Sequence, residues 1–304
     1  MIYLILNGRI GNQLFMYAAA EAMRRKDLGD KKIIINDYYV TEKKWENSLN
    51  DYLLENTTFT HRKKLIYTSK LIIPSIILQF YKLITRKMNF SEKYNFEKKY
   101  QKIFNFFGLI VCENGYIPYT IKRKHILMYG YFQSIKYFKD IAPYIKDLFI
   151  KKNILEKNIP IELSKTLSYL RQRNSICISI KVEHNIGSTL YDVCTKEYWK
   201  KSIAYMIETV KDPLFFICSD NLEYVKENIF DYTQLDYIEQ PKNIKVSDSL
   251  AIMANCHHFI IGNTSFGWWA QYINKCSNKI VIAPKRWMNC DMPIDFYMDN
   301  WILM

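Results

Sequence analysis

The chain is poor in the residues that keep a polypeptide loose. Its 304 residues include only 9 Gly and 8 Pro, too few for a collagen-like or linker-like chain. Cysteine is sparse and unpatterned: seven residues, at 112, 177, 194, 218, 256, 276 and 290, with no CxxC pair. An odd count without that pair argues against a disulfide framework and a zinc ribbon. The cysteines read instead as small buried apolar residues, and a reducing cytoplasm is the expected compartment. No apolar run approaches the roughly 20 residues that a membrane span needs. The longest candidate, Leu71 to Phe80, is ten residues, contains Pro74 and is bounded by Lys70 and Lys82. The N-terminus has no basic leader and its apolar run stops at Asn7, so it reads as a buried first strand and not as a signal peptide.

What is present is apolar mass. Hydrophobic residues make up 49% and aromatics 15%, which excludes disorder. The length predicts about two domains of roughly 100–200 residues, each able to bury a core. Charge divides them. Residues 1–150 hold 25 Lys+Arg and 13 Asp+Glu, net +12, whereas residues 151–304 hold 18 and 17, net +1. Such asymmetry points either to an anionic partner for the first half or to a surface tuned for solubility. No nucleic-acid motif accompanies it, so nucleic acid is not an expected partner. The basic residues Arg62, Lys63, Lys64, Lys70, Lys82, Arg86 and Lys87 flank the Leu71–Phe80 run. That pattern fits a helix resting on an anionic membrane face, and equally a buried amphipathic helix.

The order of elements predicts an α/β protein. Ile2–Leu6 reads as a strand, Gly8 and Gly11 as a turn, 13–26 as a helix and Lys31–Ile35 as a second strand. Residues 41–125 read as helices and loops, Tyr129–Gln133 as a short strand, and 135–150 as a helix interrupted near Pro143. A polar stretch near 150–160 places the domain boundary at 153/154. Strands then alternate with helices: Ile176–Ile180, Leu214–Cys218, His258–Ile261 and Ile280–Ala283, separated by helices over 196–211, 222–228, 248–256 and 264–274. This is the pattern of a doubly wound parallel sheet.

Four strand-end segments can carry chemistry. Gly8-Arg9-Ile10-Gly11-Asn12-Gln13 lies between a strand and a helix. Two glycines permit close backbone approach, the helix start offers unpaired N–H groups, and Arg9 adds a fork-shaped cation. It is either a phosphate cradle or a structural turn. Gly262-Asn263-Thr264-Ser265-Phe266-Gly267 has the same placement and reads as an N-cap or an anion site, with Trp268 and Trp269 in the core. Ser219-Asp220 offers a carboxylate to a ribose or base edge, or to the next helix. At Ser179-Ile180-Lys181-Val182-Glu183-His184, Lys181 is a point charge for phosphate, and Glu183 or His184 a general base. Cys256-His257-His258 looks metal-like, but neighbours on a strand point to opposite faces. No Asp-x-Asp pair stands where a metal would hold a diphosphate.

Together these pieces resemble glycosyltransferase family 11, the α-1,2-fucosyltransferases. Gly8–Gln13 followed by Leu14-Phe15 and Tyr17-Ala18 is similar to the family's opening motif. Phe215–Asp220, Tyr129–Tyr137, Asp248–Trp269 with Thr264 in place of a Ser, and Asn300-Trp301-Ile302 are similar to its later blocks. One position departs. Where the family carries His-x-Arg-Arg-Gly-Asp-Tyr, this chain has Lys181 and Val182 in place of the two arginines, so one charge is kept and the bidentate fork is lost.

The resemblance implies a GT-B architecture: two Rossmann-like domains facing a cleft, 1–153 on the acceptor side and 154–304 binding the nucleotide sugar. It implies an inverting, metal-independent transfer from GDP-fucose, with no cofactor. The acceptor would be the 2-hydroxyl of a galactose-like unit, on a glycan or a lipid-linked glycan of surface polysaccharide synthesis. Lys181, Arg9 and Asn12 would be catalytic. Gly8, Gly11, Gln13, Ser179, Ser219, Asp220, Asn263, Thr264, Ser265 and Phe266 would bind the donor. Cysteine usage and the basic collar around Leu71–Phe80, rather than the resemblance, suggest a cytoplasmic enzyme with peripheral contact at the inner face of the plasma membrane. Another nucleotide sugar as donor, or an inactive sugar-nucleotide-binding relative, are the competing readings.

Overall fold

The computed structural model describes residues 1–29, 31–63, 68–150, 161–291 and 295–304. Two compact units divide the chain: Met1–Ile145 with Cys290–Phe296, and Lys146–Asn289 with Tyr297–Met304. The expected boundary at 153/154 lies outside the described residues. The return segment Cys290–Phe296 groups with the first unit. Asp295 pairs with Lys136 at 2.5 Å and the Phe296 ring meets Phe15 edge-on at 5.9 Å.

The first unit begins with β1 (Ile2–Ile5), α1 (Ile10–Met23), β2 (Ile33–Asn36), α2 (Tyr38–Glu42) and β3 (Thr57–Thr60). Two longer helices, α3 (Ile72–Thr85) and α4 (Phe90–Phe107), precede β4 (Leu109–Cys112) and β5 (Ile126–Gly130). The chain passes to the second unit within α5 (Ala142–Phe149). The sheet order is β3-β2-β1-β5-β4 and every pairing is parallel.

Residues 41–125 therefore contain two strands as well as helices, which the sequence reading did not anticipate. β3 is a polar, half-exposed edge strand (TTFT), with no apolar run to mark it. β4 is four fully buried residues directly after Gly108, whose φ of 84° ends α4. The start of α4 is fixed by a capping box between Asn89 and Glu92. Pro143 opens α5 instead of interrupting it, because a proline in the first turn sacrifices no helical hydrogen bond.

The second unit contains α6 (Ile161–Gln172), β6 (Asn174–Ile180), α7 (Lys196–Thr209), β7 (Pro213–Ser219), α8 (Leu222–Tyr224), β8 (Tyr237–Glu239), α9 (Val246–Met253), β9 (His258–Ile261), α10 (Ser265–Ile273), β10 (Val281–Ala283) and β11 (Ile302–Leu303). Its sheet order is β11-β10-β9-β6-β7-β8, again all parallel. The central strands are apolar on both faces and buried from Ser175 to Ile180 and from Leu214 to Ser219, as expected where helices cover both sides. Trp268 and Trp269 lie in this core, and Phe149 meets the Trp269 ring edge-on at 5.2 Å. All seven cysteines are free. Among the described residues no helix is long and apolar enough to cross a membrane.

Candidate functional site

Strand order fixes where each unit can hold a ligand. In the first sheet, successive strands run outward from β1 through β2 to β3, and β5 lies on the other side of β1. In the second, they run from β6 through β7 to β8, and β9 lies on the other side of β6. The carboxyl ends of β1/β5 and of β6/β9 are thus the reversal points at which open parallel sheets leave a crevice. Three of the four motifs singled out from sequence fall at these points, after β1, β6 and β9, and Ser219-Asp220 follows the neighbouring β7.

In the first unit, Gly8 follows β1 with φ of 77°. A Cβ there would lie 2.6 Å from Asn12 Nδ2, so only glycine fits. Arg9 is extended, exposed and forms the N-cap of α1. Its carbonyl accepts from the N–H groups of Asn12 and Gln13, at 3.0 and 3.1 Å. Gln13 is fully buried. Its amide nitrogen donates to the carbonyls of Gly8 (2.9 Å) and Glu46 (2.8 Å), while its oxygen accepts from Ser48 N–H (3.0 Å). Gln13 is therefore a brace between two loops. Asn12, half-buried, accepts at 2.7 Å from Gln133, which follows β5. Asn7 donates to the Tyr131 hydroxyl at 3.2 Å. Asn7, Tyr131 and Gln133 were not singled out from sequence. The Tyr129–Tyr137 similarity was the available signal for the last two.

In the second unit, parallel register aligns Ser179 with Cys218 and Ile261, so the candidate loops leave the sheet side by side. Lys181 and Asp220 form an ion pair with each other. Asp220 also accepts from the N–H groups of Val182 (2.8 Å) and Glu183 (3.2 Å). The carboxylate therefore shapes the 181–183 turn and holds the ammonium at its mouth. It does not cap the helix that follows; Asn221 does, accepting from Tyr224 N–H at 2.9 Å. Glu183 is exposed, 3.8 Å from Lys181. His184 is exposed in the left-handed region, with φ of 66°.

Asn263 is buried and spends its amide as Gln13 does. It donates to the carbonyls of Tyr191 (3.0 Å) and Trp287 (2.9 Å) and accepts from Asn185 (3.1 Å). Thr264 is the N-cap of α10, accepting from Gly267 N–H at 3.1 Å. Ser265 and Phe266 are half-exposed beside it. Ser179 and Ser219 are buried beneath. A Cβ on Gly267 would press to 2.9 Å from Ser179 Oγ, so α10 closes directly onto β6. A small concavity lies above, lined among others by Lys181, Asn185, Tyr191, Cys194 and Asn263. Burial pushes the Cys194 thiol up to about 12, so it stays a neutral thiol and not a nucleophile.

His257 Nδ1 lies 3.0 Å from Ser175 Oγ and His258 Nδ1 accepts from Ile280 N–H, so the two rings serve different neighbours. Among the described residues no group of three His, Cys, Asp or Glu is placed to hold a metal ion.

Fold and site define a class: a two-unit parallel α/β protein with a glycine-containing strand–turn–helix junction at the reversal point of each sheet. Glycosyl transferase family 11 matches residues 1–304, and the chain belongs to that family. It is a glycosyltransferase. It is 23% identical, over 99% of both chains, to the O-antigen biosynthesis glycosyltransferase WbnK of Escherichia coli. It is 22% identical to an alpha-1,2-colitosyltransferase of Escherichia coli, covering 93% of this chain and 90% of that one. The crystal structure of fucosyltransferase NodZ from Bradyrhizobium superposes with a TM-score of 0.47 at 12% identity, covering 88% of this chain and 92% of that one.

Proposed function

We propose that the enzyme transfers fucose from GDP-fucose, with inversion, to the 2-hydroxyl of a galactose-like acceptor in surface-polysaccharide synthesis. Family membership along the whole chain carries this reading. The names of the two Escherichia coli relatives, one an O-antigen enzyme and the other an alpha-1,2 transferase, support the pathway class and the linkage.

The reaction breaks the bond between the anomeric carbon and the diphosphate while the acceptor oxygen forms a bond from the opposite face. Negative charge grows on the leaving diphosphate, so positive groups fixed in advance lower the barrier. The second unit offers Lys181, held in place by Asp220, and the N–H groups that open α10 after Thr264. The first unit offers Arg9 and the start of α1. Asn12 positions the substrate from its bond to Gln133. Gln13 and Asn263 keep the two turns in shape. Ser179 and Ser219 act from below the surface, as supports of the turns above them. Glu183 and His184, both exposed beside Lys181, are the candidate bases for the acceptor proton. None of these roles asks for a metal or a cofactor.

A donor screen that reads GDP release tests the proposal. GDP-fucose should turn over, and Lys181→Ala should lower turnover more than tenfold in a protein that still folds. Unchanged turnover would remove Lys181 from the role. A second reading rests on the colitosyl name of one relative: a different GDP-linked sugar is the donor. Turnover of such a sugar in preference to GDP-fucose selects it. GDP binding without release from any GDP-sugar marks an inactive, nucleotide-binding relative.

A further inference from the structure

Helix α3 turns an apolar face to solvent. The side against the protein carries Pro74, Ser75, Leu78, Tyr81 and Thr85. The opposite side carries Ile72, Ile73, Ile76, Phe80, Leu83 and Ile84, each between 42% and 69% exposed. A solvated helix shows the reverse pattern, with charge outside and apolar residues within. Contiguous exposed apolar surface of this kind marks an interaction site.

Cations surround the stripe. Lys70 precedes the helix, and Arg86 and Lys87 follow it, all exposed. The neighbouring α4 exposes Lys98, Lys99 and Lys102 together with Ile103 and Phe106. Leu78 and Tyr81 of α3 and Phe104 of α4 share one core with Tyr3, Ile5, Leu109 and Val111. Alternate residues of a strand point to one face, so both helices cover the same face of the sheet and their outer sides form one layer. Residues 68–107 contain eight Lys+Arg and two Asp+Glu. Glu97 is one of the two and is fully buried, which leaves Glu92 as the acidic group at this surface.

We propose that this layer docks the protein on an anionic lipid bilayer, with α3 lying in the plane of the interface. Aliphatic and aromatic side chains enter the headgroup–acyl boundary while the surrounding lysines and arginines meet lipid phosphates. The 14 residues of α3 measure about 21 Å, short of the roughly 30 Å hydrocarbon core, so the helix lies on the membrane and does not cross it. Nucleic acid would satisfy the cations but leave the apolar stripe uncovered. A second copy of this face would cover the stripe but set like charges against each other across a two-fold axis. An anionic bilayer satisfies both features, and the inference stands independently of the sugar donor.

Co-sedimentation of the full-length protein with vesicles tests it. Binding to phosphatidylglycerol-containing vesicles is expected at low salt, with at least tenfold weaker binding to phosphatidylcholine alone and a steep fall as salt rises. Phe80→Ser combined with Leu83→Ser should weaken binding at least tenfold with the circular dichroism spectrum and melting temperature unchanged. Lys98→Glu with Lys99→Glu and Lys102→Glu should do the same. Failure to bind the anionic vesicles overturns the proposal, as does wild-type binding by either variant. A wild-type dimer that the Phe80/Leu83 variant converts to monomer also overturns it, because the stripe would then be a contact between copies.

Discussion

The two strand–turn–helix junctions, residues 5–13 and 261–267, solve one problem with the same device and differ in how they carry charge. Each needs glycine for close packing, at Gly8 and at Gly267. Each is tied down by a buried side-chain amide, Gln13 in one and Asn263 in the other, that bonds to backbone groups of two loops. At the first junction the cation, Arg9, is exposed on the N-cap itself. At the second the cap is a neutral threonine, and the cation, Lys181, sits at the end of the adjacent strand in an ion pair with Asp220. Bracing and charge are therefore separate functions in both units, and substitutions can remove one while leaving the other.

The largest effects should come from the braces. Asn263→Ala leaves the Tyr191 and Trp287 carbonyls without this donor inside the fold and should cost about 2–4 kcal/mol. Gln13→Ala should cost about as much by removing its bonds to the Gly8 and Glu46 carbonyls and the Ser48 N–H. Five of the six tryptophans lie in the second unit and Trp45 alone in the first. Urea unfolding followed by tryptophan fluorescence should therefore register Asn263→Ala strongly. Gln13→Ala should be clearer in circular dichroism. A neutral result at either position breaks the parallel between the junctions.

The next effect separates the units by pH. Glu97 is buried in the first unit, accepting from Glu113 N–H at 3.1 Å and lying 2.5 Å from the Tyr81 hydroxyl. Burial pushes its carboxyl up to about 7 from the ordinary 4.5. The Tyr81 hydroxyl has one proton for two carboxylates, Glu97 and, at 3.3 Å, Glu113. A neutral Glu97 resolves that shortage by donating to Tyr81, which then donates to Glu113 beside Lys93. Because the folded value is raised, this contribution to stability is complete below about pH 4.5 and is lost as pH rises through 7. The loss should be on the order of 3 kcal/mol by pH 8, and Glu97→Gln, neutral at every pH, should flatten the slope. The second unit runs the other way. Burial lowers Lys279 to about 8, so its contribution is present above pH 10.5 and is lost as pH falls through 8. A wild-type profile as flat as that of Glu97→Gln would remove the buried carboxyl from this account.

The junctions were legible in sequence because they depend on local chemistry: an apolar run, a glycine, then a helix-forming stretch. The alternating strands and helices of 174–283 were legible for the same reason, whereas β8 and β11, of three and two residues, were too short to leave a pattern. β3 escaped because an edge strand can be polar, and its pairing with β2 is a tertiary fact. The amides of Gln13 and Asn263 looked like ligand contacts from their place in the motifs. Only the positions of Glu46, Ser48, Tyr191 and Trp287, far along the chain, make them braces. The pairing of Lys181 with Asp220 is hidden for the same reason, since the two residues follow different strands.

The smallest effects test whether charge and capping come apart. Thr264→Ala removes the side-chain acceptor for Gly267 N–H and should cost about 1 kcal/mol. At the first junction Arg9 occupies the N-cap without a side-chain cap bond, since a guanidinium has no acceptor to offer. Arg9→Ser supplies one and should leave stability equal or raise it by up to about 1 kcal/mol. If the exposed guanidinium neutralises charge on the leaving diphosphate, the same variant should lose turnover at least tenfold while its melting temperature holds or rises. A residue kept against its own capping preference is then kept for its charge. If turnover and stability both stay at wild-type levels, Arg9 is an ordinary surface residue, and the contrast between the junctions reduces to the choice of cap.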